Sequence, residues 1–141
     1  MTDFNEQVID EFRSNGGKVG GPLAGQDLVL VTMTGARTGA VRTVPLGAYG
    51  DLDGTSVVFA SAMGAPNHPQ WHFNLLANPD VVVERGSTQY PATARLVEGA
   101  EREELWARVV EVKPFLAAHQ AAAHPREVTL FRLEEMEDDD E

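Results

Sequence analysis

The sequence predicts an α+β fold, a small antiparallel β-barrel with peripheral helices. Three observations carry this. About six short β-branched or alternating runs follow one another mostly through Gly-containing turns, which is hairpin order and therefore an antiparallel sheet. A sheet of that many strands tends to curl or close, which removes exposed edges. Helical periodicities fall at the N-terminus, between the third and fourth runs and before the last one, where helices can pack outside a barrel.

Taken in order, Phe4, Val8, Ile9 and Phe12 share one face of a helix, capped by Thr2 or Asp3 and ended by Asn15-Gly16-Gly17. Gly16 to Gly25 contains five glycines and Pro22 and cannot be regular structure. Leu28–Thr34 and Thr43–Tyr49 read as strands around a loop, and Asp51-Leu52-Asp53-Gly54 is the next turn. Ser56–Ala60 is a short strand, and 62–69 is a loop with Gly64, Pro66 and Pro69. A short helix runs from Pro69 to Ala77 and stops before Asn78-Pro79. Asp80–Glu84 and Thr88–Val97 are strands around Arg85-Gly86-Ser87, with Tyr90, Ala92, Ala94 and Leu96 on one face of the second.

A helix from Ala100, acidic in its first turns, places Leu105, Trp106, Val109, Val110 and Val112 on its apolar side and breaks at Pro114. Phe115–Ala123 is an alanine-rich helix, and Val128–Leu133 is the last strand. The expected organisation is a single domain over 1–141, in which 1–25 is the N-terminal helix with its Gly-rich connector and 134–141 is an acidic, frayed tail.

Composition excludes several functions. The chain has no cysteine, which leaves no disulfide, thiolate metal site or thiol nucleophile. Its 22 carboxylates against 11 Lys and Arg give a net charge of −11, which disfavours nucleic acid and anionic membrane surfaces as partners. No apolar run approaches the roughly 20 residues of a membrane span. The acidic N-terminus lacks a signal-peptide pattern, and a cytoplasmic protein is expected.

Against that acidic background, Met33–Pro45 stands out. Arg37 and Arg42 can each donate several hydrogen bonds to phosphate or carboxylate. Gly35 and Gly39 allow backbone N–H groups to converge on an anion, and Thr34, Thr38 and Thr43 add hydroxyls. The stretch reads either as an anion grip or as an ordinary hairpin loop with exposed arginines; it lacks the Gly-Lys-Ser/Thr and the helix of a P-loop. The Gly16–Gly25 segment is either a connector or a close backbone approach to a ligand with Lys18 beside it.

A second candidate is Ala60–Asn74. There Trp71 offers a face for a flat ring or belongs to the core, and Ser61 and the Gly64 backbone can line a pocket. His68 and His72 are four apart but have no acidic third ligand nearby, and no metal site is expected. His119 and His124 form a looser pair. No Ser/His/Asp triad, nucleophile elbow or buried carboxylate pair occurs, which points to a cofactor as the carrier of any hard chemistry.

These stretches together resemble the deazaflavin-dependent nitroreductase family, whose members bind coenzyme F420. The resemblance rests on Glu11-Phe12-Arg13-Ser14-Asn15-Gly16-Gly17-Lys18-Val19-Gly20-Gly21-Pro22, on Thr34-Gly35-Ala36-Arg37-Thr38-Gly39 with Arg42, Pro45 and Leu46, and on Pro69, Trp71, Asn74-Leu75 and Ala77-Asn78-Pro79. It covers nearly the whole chain. It implies a split β-barrel related to FMN-binding flavin reductases, and hydride transfer from the reduced coenzyme to a small-molecule electron acceptor such as a quinone, an enone or a nitro-aromatic compound.

By position, the resemblance places Arg37, Thr38 and Arg42 on the phosphate and polyglutamate tail. Pro45, Ala60, Ser61 and Asn74 then surround the ring and its side chain, with Trp71 beside the pocket. His119 stands in the region where many members carry substrate-facing tyrosines, and is the candidate proton donor. FMN is the alternative cofactor, a non-catalytic carrier of a flavin-like ligand is the alternative function, and pairing into a homodimer is a further expectation. Two departures are visible. Ala36 stands where the family usually has a basic residue, and Ser61-Ala62-Met63-Gly64 replaces Ser-Lys-Gly-Gly. At roughly 1 kcal/mol per charge-assisted contact, losing both costs about tenfold in affinity or more.

Overall fold

The computed structural model describes residues 4–20, 27–52 and 54–136. Its elements are α1 (Phe4–Ser14), β1 (Leu28–Thr34), β2 (Val41–Gly50), β3 (Ser56–Phe59), α2 (Gln70–Ala77), β4 (Asp80–Arg85), β5 (Thr88–Leu96), α3 (Gly99–Val112), α4 (Phe115–Ala123) and β6 (Leu130–Glu135). The six strands form a closed barrel in the order β1-β2-β3-β6-β5-β4, with every neighbouring pair antiparallel. The expected antiparallel barrel with outer helices is the architecture found.

Strand alternation divides the apolar residues between two cores. One contains Val29, Val31 and Met33 of β1 with Val58, Phe131 and Leu133, and Leu75 of α2 joins it. The other joins Tyr49, Val57 and Leu130 to Leu105 and Val109 of α3 and Leu116 of α4. Arg13 of α1 holds Glu84 of β4 through two hydrogen bonds of 2.9 and 2.7 Å. Gly17, at φ +96°, follows α1 so closely that a Cβ there would lie 2.6 Å from Gly86 Cα, a contact only glycine allows.

Several expectations shift. Residues 21–25 of the Gly-rich connector and the capping candidates Thr2 and Asp3 lie outside the described residues. The loop expected at 62–69 opens with a short 3-10 turn, Ala62–Gly64. Val112, the last residue of α3, is exposed rather than on its apolar side. Glu134 and Glu135 belong to β6, opposite Thr93 and Ala92, and not to a frayed tail. Glu134 is held by Arg95 at 3.1 Å.

The antiparallel order decides where the loops go. The C-terminal ends of β1, β3 and β5 and the N-terminal ends of β2, β4 and β6 share one mouth of the barrel. That mouth therefore gathers the β1–β2 loop, the turn after β3, α2 and the exit from α4.

Candidate functional site

The β1–β2 hairpin closes between Thr34 and Val41, and Gly35 N–H donates to Ala40 O at 2.8 Å. The loop it leaves is tied to α2. Asn74 is buried, and its Oδ1 accepts the Ala36 N–H at 2.9 Å and Gln70 Nε2 at 3.2 Å. Asn78 Nδ2 donates to Thr34 O at 3.3 Å. The result is a groove of about 300 Å³ lined by Gly35, Ala36, Arg37, Thr38, Arg42, Gln70 and Asn74. Four of the residues expected to hold a cofactor thus meet in one place.

The charges in this groove are its distinguishing property. Arg13, Arg95, Arg102, Arg108, Lys113 and Arg132 all pair with carboxylates. Among the described residues, the Arg37 and Arg42 side chains have neither an ion pair nor a hydrogen bond, although acids outnumber bases two to one. No carboxylate lines the groove. Two free guanidiniums beside hydroxyl and amide donors suit a ligand with several anionic groups.

The remaining candidates sit elsewhere around the same mouth. Pro45 is half-buried on β2 opposite Leu30. Ala60 is fully buried after β3, and its carbonyl accepts Arg126 Nη1 at 2.8 Å. Ser61 is buried, with its Oγ 3.2 Å from His119 Nδ1 on α4. Phe115 lies edge-on to His119, with ring centroids 5.3 Å apart, and is partly exposed beside it.

Trp71, Gly64 and Lys18 are the other candidates. Trp71 is half-buried against the barrel core, with its ring 6.1 Å from Phe131. Gly64 is buried under α4: a Cβ there would lie 2.7 Å from Ala122 Cβ, so its lack of a side chain admits the helix. Lys18 lines a separate cavity of about 640 Å³ with Leu28, Gly50, Ser56 and Arg85. That cavity lies at the opposite end of β1, about 20 Å from the arginine loop at 3.3 Å per strand residue.

His68 and His72 stack at 3.9 Å and do not converge on a cation. His72 Nδ1 is 2.8 Å from Thr129 Oγ1, and His68 Nδ1 is 3.2 Å from Arg126 Nη1. Burial, then His68 and Arg126, push the His72 imidazole down to about 4. No group of three or more His, Asp or Glu that could hold a metal occurs among the described residues.

The fold and site together are a closed antiparallel barrel with a groove at its mouth lined by two arginines. Comparison with known proteins narrows this. The sequence pattern of the family described as F420H(2)-dependent quinone reductase matches residues 5–135, and the chain belongs to that family. It is 36% identical over 88 residues to an F420H(2)-dependent quinone reductase of Mycobacterium tuberculosis, covering 62% of this chain and 58% of the relative. The chain spans about half the length of the curated relatives it matches, 46% to 58%.

Solved structures agree. An F420-H2 dependent reductase (FDR-A) superposes with a TM-score of 0.68 at 41% identity, covering 77% of this chain and 94% of that one. A structure described as a domain-swapped dimer gives 0.70 at 38% identity, covering 92% and 95%.

Proposed function

We propose that this protein is a reductase that binds coenzyme F420, the 8-hydroxy-5-deazaflavin, and passes a hydride to a quinone-type small-molecule acceptor. The observation that carries this reading is the pair of unpartnered guanidiniums, Arg37 and Arg42, facing a groove free of carboxylates. The bound coenzyme supplies the hydride. Arg37 and Arg42 hold its anionic tail, and the Thr38 hydroxyl, which accepts Ala40 N–H at 3.2 Å, has its own proton to donate there. Asn74 acts mainly by fixing the loop, since its Oδ1 is already engaged by Ala36 and Gln70. Pro45, Ala60 and Ser61 complete the mouth on the side of the ring.

Reduction of a quinone to a quinol consumes one hydride and one proton. With Nδ1 of His119 directed at Ser61, Nε2 is the atom that holds that proton. Phe115 and Met63 are exposed apolar side chains of α4 and the turn after β3, and they suit a flat apolar acceptor. Pairing of two copies, as in the domain-swapped neighbour, and a cytoplasmic location belong to the same proposal; no described helix is long and apolar enough to cross a membrane.

Fluorescence titration with reduced and oxidised coenzyme tests the reading, followed by oxidation of the reduced form with a panel of quinones and enones. Quenching with turnover is expected. No binding at about tens of micromolar, well above a Kd of 1 μM worth about 8 kcal/mol, overturns it. Binding without turnover identifies a carrier, and a protein yellow as purified identifies FMN as the cofactor.

A further inference from the structure

Arg126 has no part in the scheme above, yet its guanidinium meets four neutral partners, His68 Nδ1 and three backbone carbonyls. Nε donates to Ala65 O at 3.0 Å, Nη1 to Ala60 O at 2.8 Å and Nη2 to Ser61 O at 2.8 Å. The three carbonyls bracket the turn Ala62-Met63-Gly64, whose φ values are +47°, +55° and +84°. Two successive L-residues in left-handed backbone are disfavoured sterically and persist only where the surroundings hold them. Met63 is 85% exposed, so its own side chain does not do so.

Arg126 is itself anchored to α4. Its N–H donates to Ala123 O at 2.9 Å, and its carbonyl accepts Gln120 Nε2 at 2.7 Å. Gln120 Oε1 also accepts Val128 N–H at 2.8 Å. Helix α4 further carries His119, whose Nδ1 meets Ser61 Oγ, and Ala122, against which Gly64 is seated. The turn, Arg126 and α4 therefore form one unit with the Ser61–His119 contact inside it.

We propose that Arg126 is a positioning residue that clamps the left-handed turn so that the Ser61 hydroxyl meets the His119 imidazole. The catalytic meaning of this contact rests on the proposed function; the clamp itself does not. Arginine suits this role because its planar fork presents a separate nitrogen to each of three carbonyls, where lysine has a single nitrogen.

The test is histidine-selective NMR of the protein without coenzyme, on wild type, Ser61→Ala, Arg126→Lys and Arg126→Lys combined with Met63→Gly. Arg126→Lys is expected to move the His119 ring signals in the direction Ser61→Ala moves them. Adding Met63→Gly is expected to return them part of the way, because glycine adopts the left-handed turn without the clamp. A folded Arg126→Lys with wild-type His119 signals overturns the proposal, as does a Ser61→Ala that moves nothing. Should Arg126→Lys fail to fold, Gln120→Ala gives the same readout, a shift supporting the clamp and no shift overturning it. These spectra need no coenzyme, so a failed coenzyme titration counts against the proposed function alone.

Discussion

The side-chain carbonyl of Asn74 accepts the backbone N–H of Ala36 at 2.9 Å, joining two residues 38 positions apart. Through this bond α2 sets the shape of the arginine loop. Asn74→Leu keeps the volume and removes the acceptor. It is expected to cost about 1 kcal/mol of stability, the usual net worth of one hydrogen bond, and to weaken coenzyme binding about tenfold or more. Thermal melts and a fluorescence titration on the same protein check both.

Arg37→Ala and Arg42→Ala touch no intramolecular partner among the described residues, so the melting temperature is expected to stay unchanged. Coenzyme affinity is expected to fall by about tenfold for each at roughly 1.5 kcal/mol per charge-assisted contact. The wild-type affinity should also drop as salt rises from 0.01 to 0.15 M, where screening shortens from about 30 to about 8 Å. Each single variant should lose part of that salt dependence.

Ala36→Lys is the reverse experiment. Ala36 is exposed on the rim of the groove, and its backbone bond to Asn74 does not depend on its side chain. An added ammonium there is expected to tighten coenzyme binding by about fivefold at roughly 1 kcal/mol, read by the same titration.

Asp51 anchors a charge network away from the site. It accepts Arg108 twice at 3.0 Å, and Arg132 Nη2 lies 2.8 Å away. Burial alone would raise its carboxyl; hydrogen bonds from Arg108, the Leu52 backbone and Arg132 overcome this and hold it at about 2. Its folded value lies below the unfolded one, so the stabilisation is present above pH ~4 and lost as pH falls towards 2. Asp51→Ala leaves the buried Arg132 short of a partner and is expected to cost about 3–5 kcal/mol in urea unfolding at pH 7.

His72 gives a second pH signature. Its imidazole is held near 4 in the folded protein against about 6.5 unfolded, so between those values the unfolded chain binds the extra proton. Stability is therefore expected to be full above pH ~6.5, to decline as pH falls to about 4, and to level off for this group below that. His72→Phe should flatten this part of the stability profile measured by urea unfolding between pH 4 and 7.

Much of the barrel is legible in the sequence because period-2 alternation and turn residues are local signals. Leu28-Val29-Leu30-Val31 and Phe115–Ala123 could be bounded within a residue for that reason. The arginine loop is legible as an oddity of charge; its hydrogen bond to Asn74 is not, because 38 residues separate the partners. Lys18 shows the limit of this reading: a residue type suited to a ligand does not say which end of a strand it occupies. Arg126 left no signal at all, since its partners are backbone carbonyls 61 to 66 residues away and carry no side-chain pattern. The same holds for the left-handed turn, where Ala62 and Met63 give no hint of their φ.

The position of β6 between β3 and β5 bears on how the chain is made. While the ribosome is still adding residues before Leu130, β3 and β5 each present an open edge, and the hairpins β1–β2 and β4–β5 have only each other to close on. The barrel cannot be completed until synthesis has passed Glu135. A nascent or prematurely terminated chain thus exposes two sticky strand edges, and its clearance falls to chaperones and proteases. A stop codon a dozen residues upstream of Glu135 would consequently yield aggregate rather than a weakened enzyme.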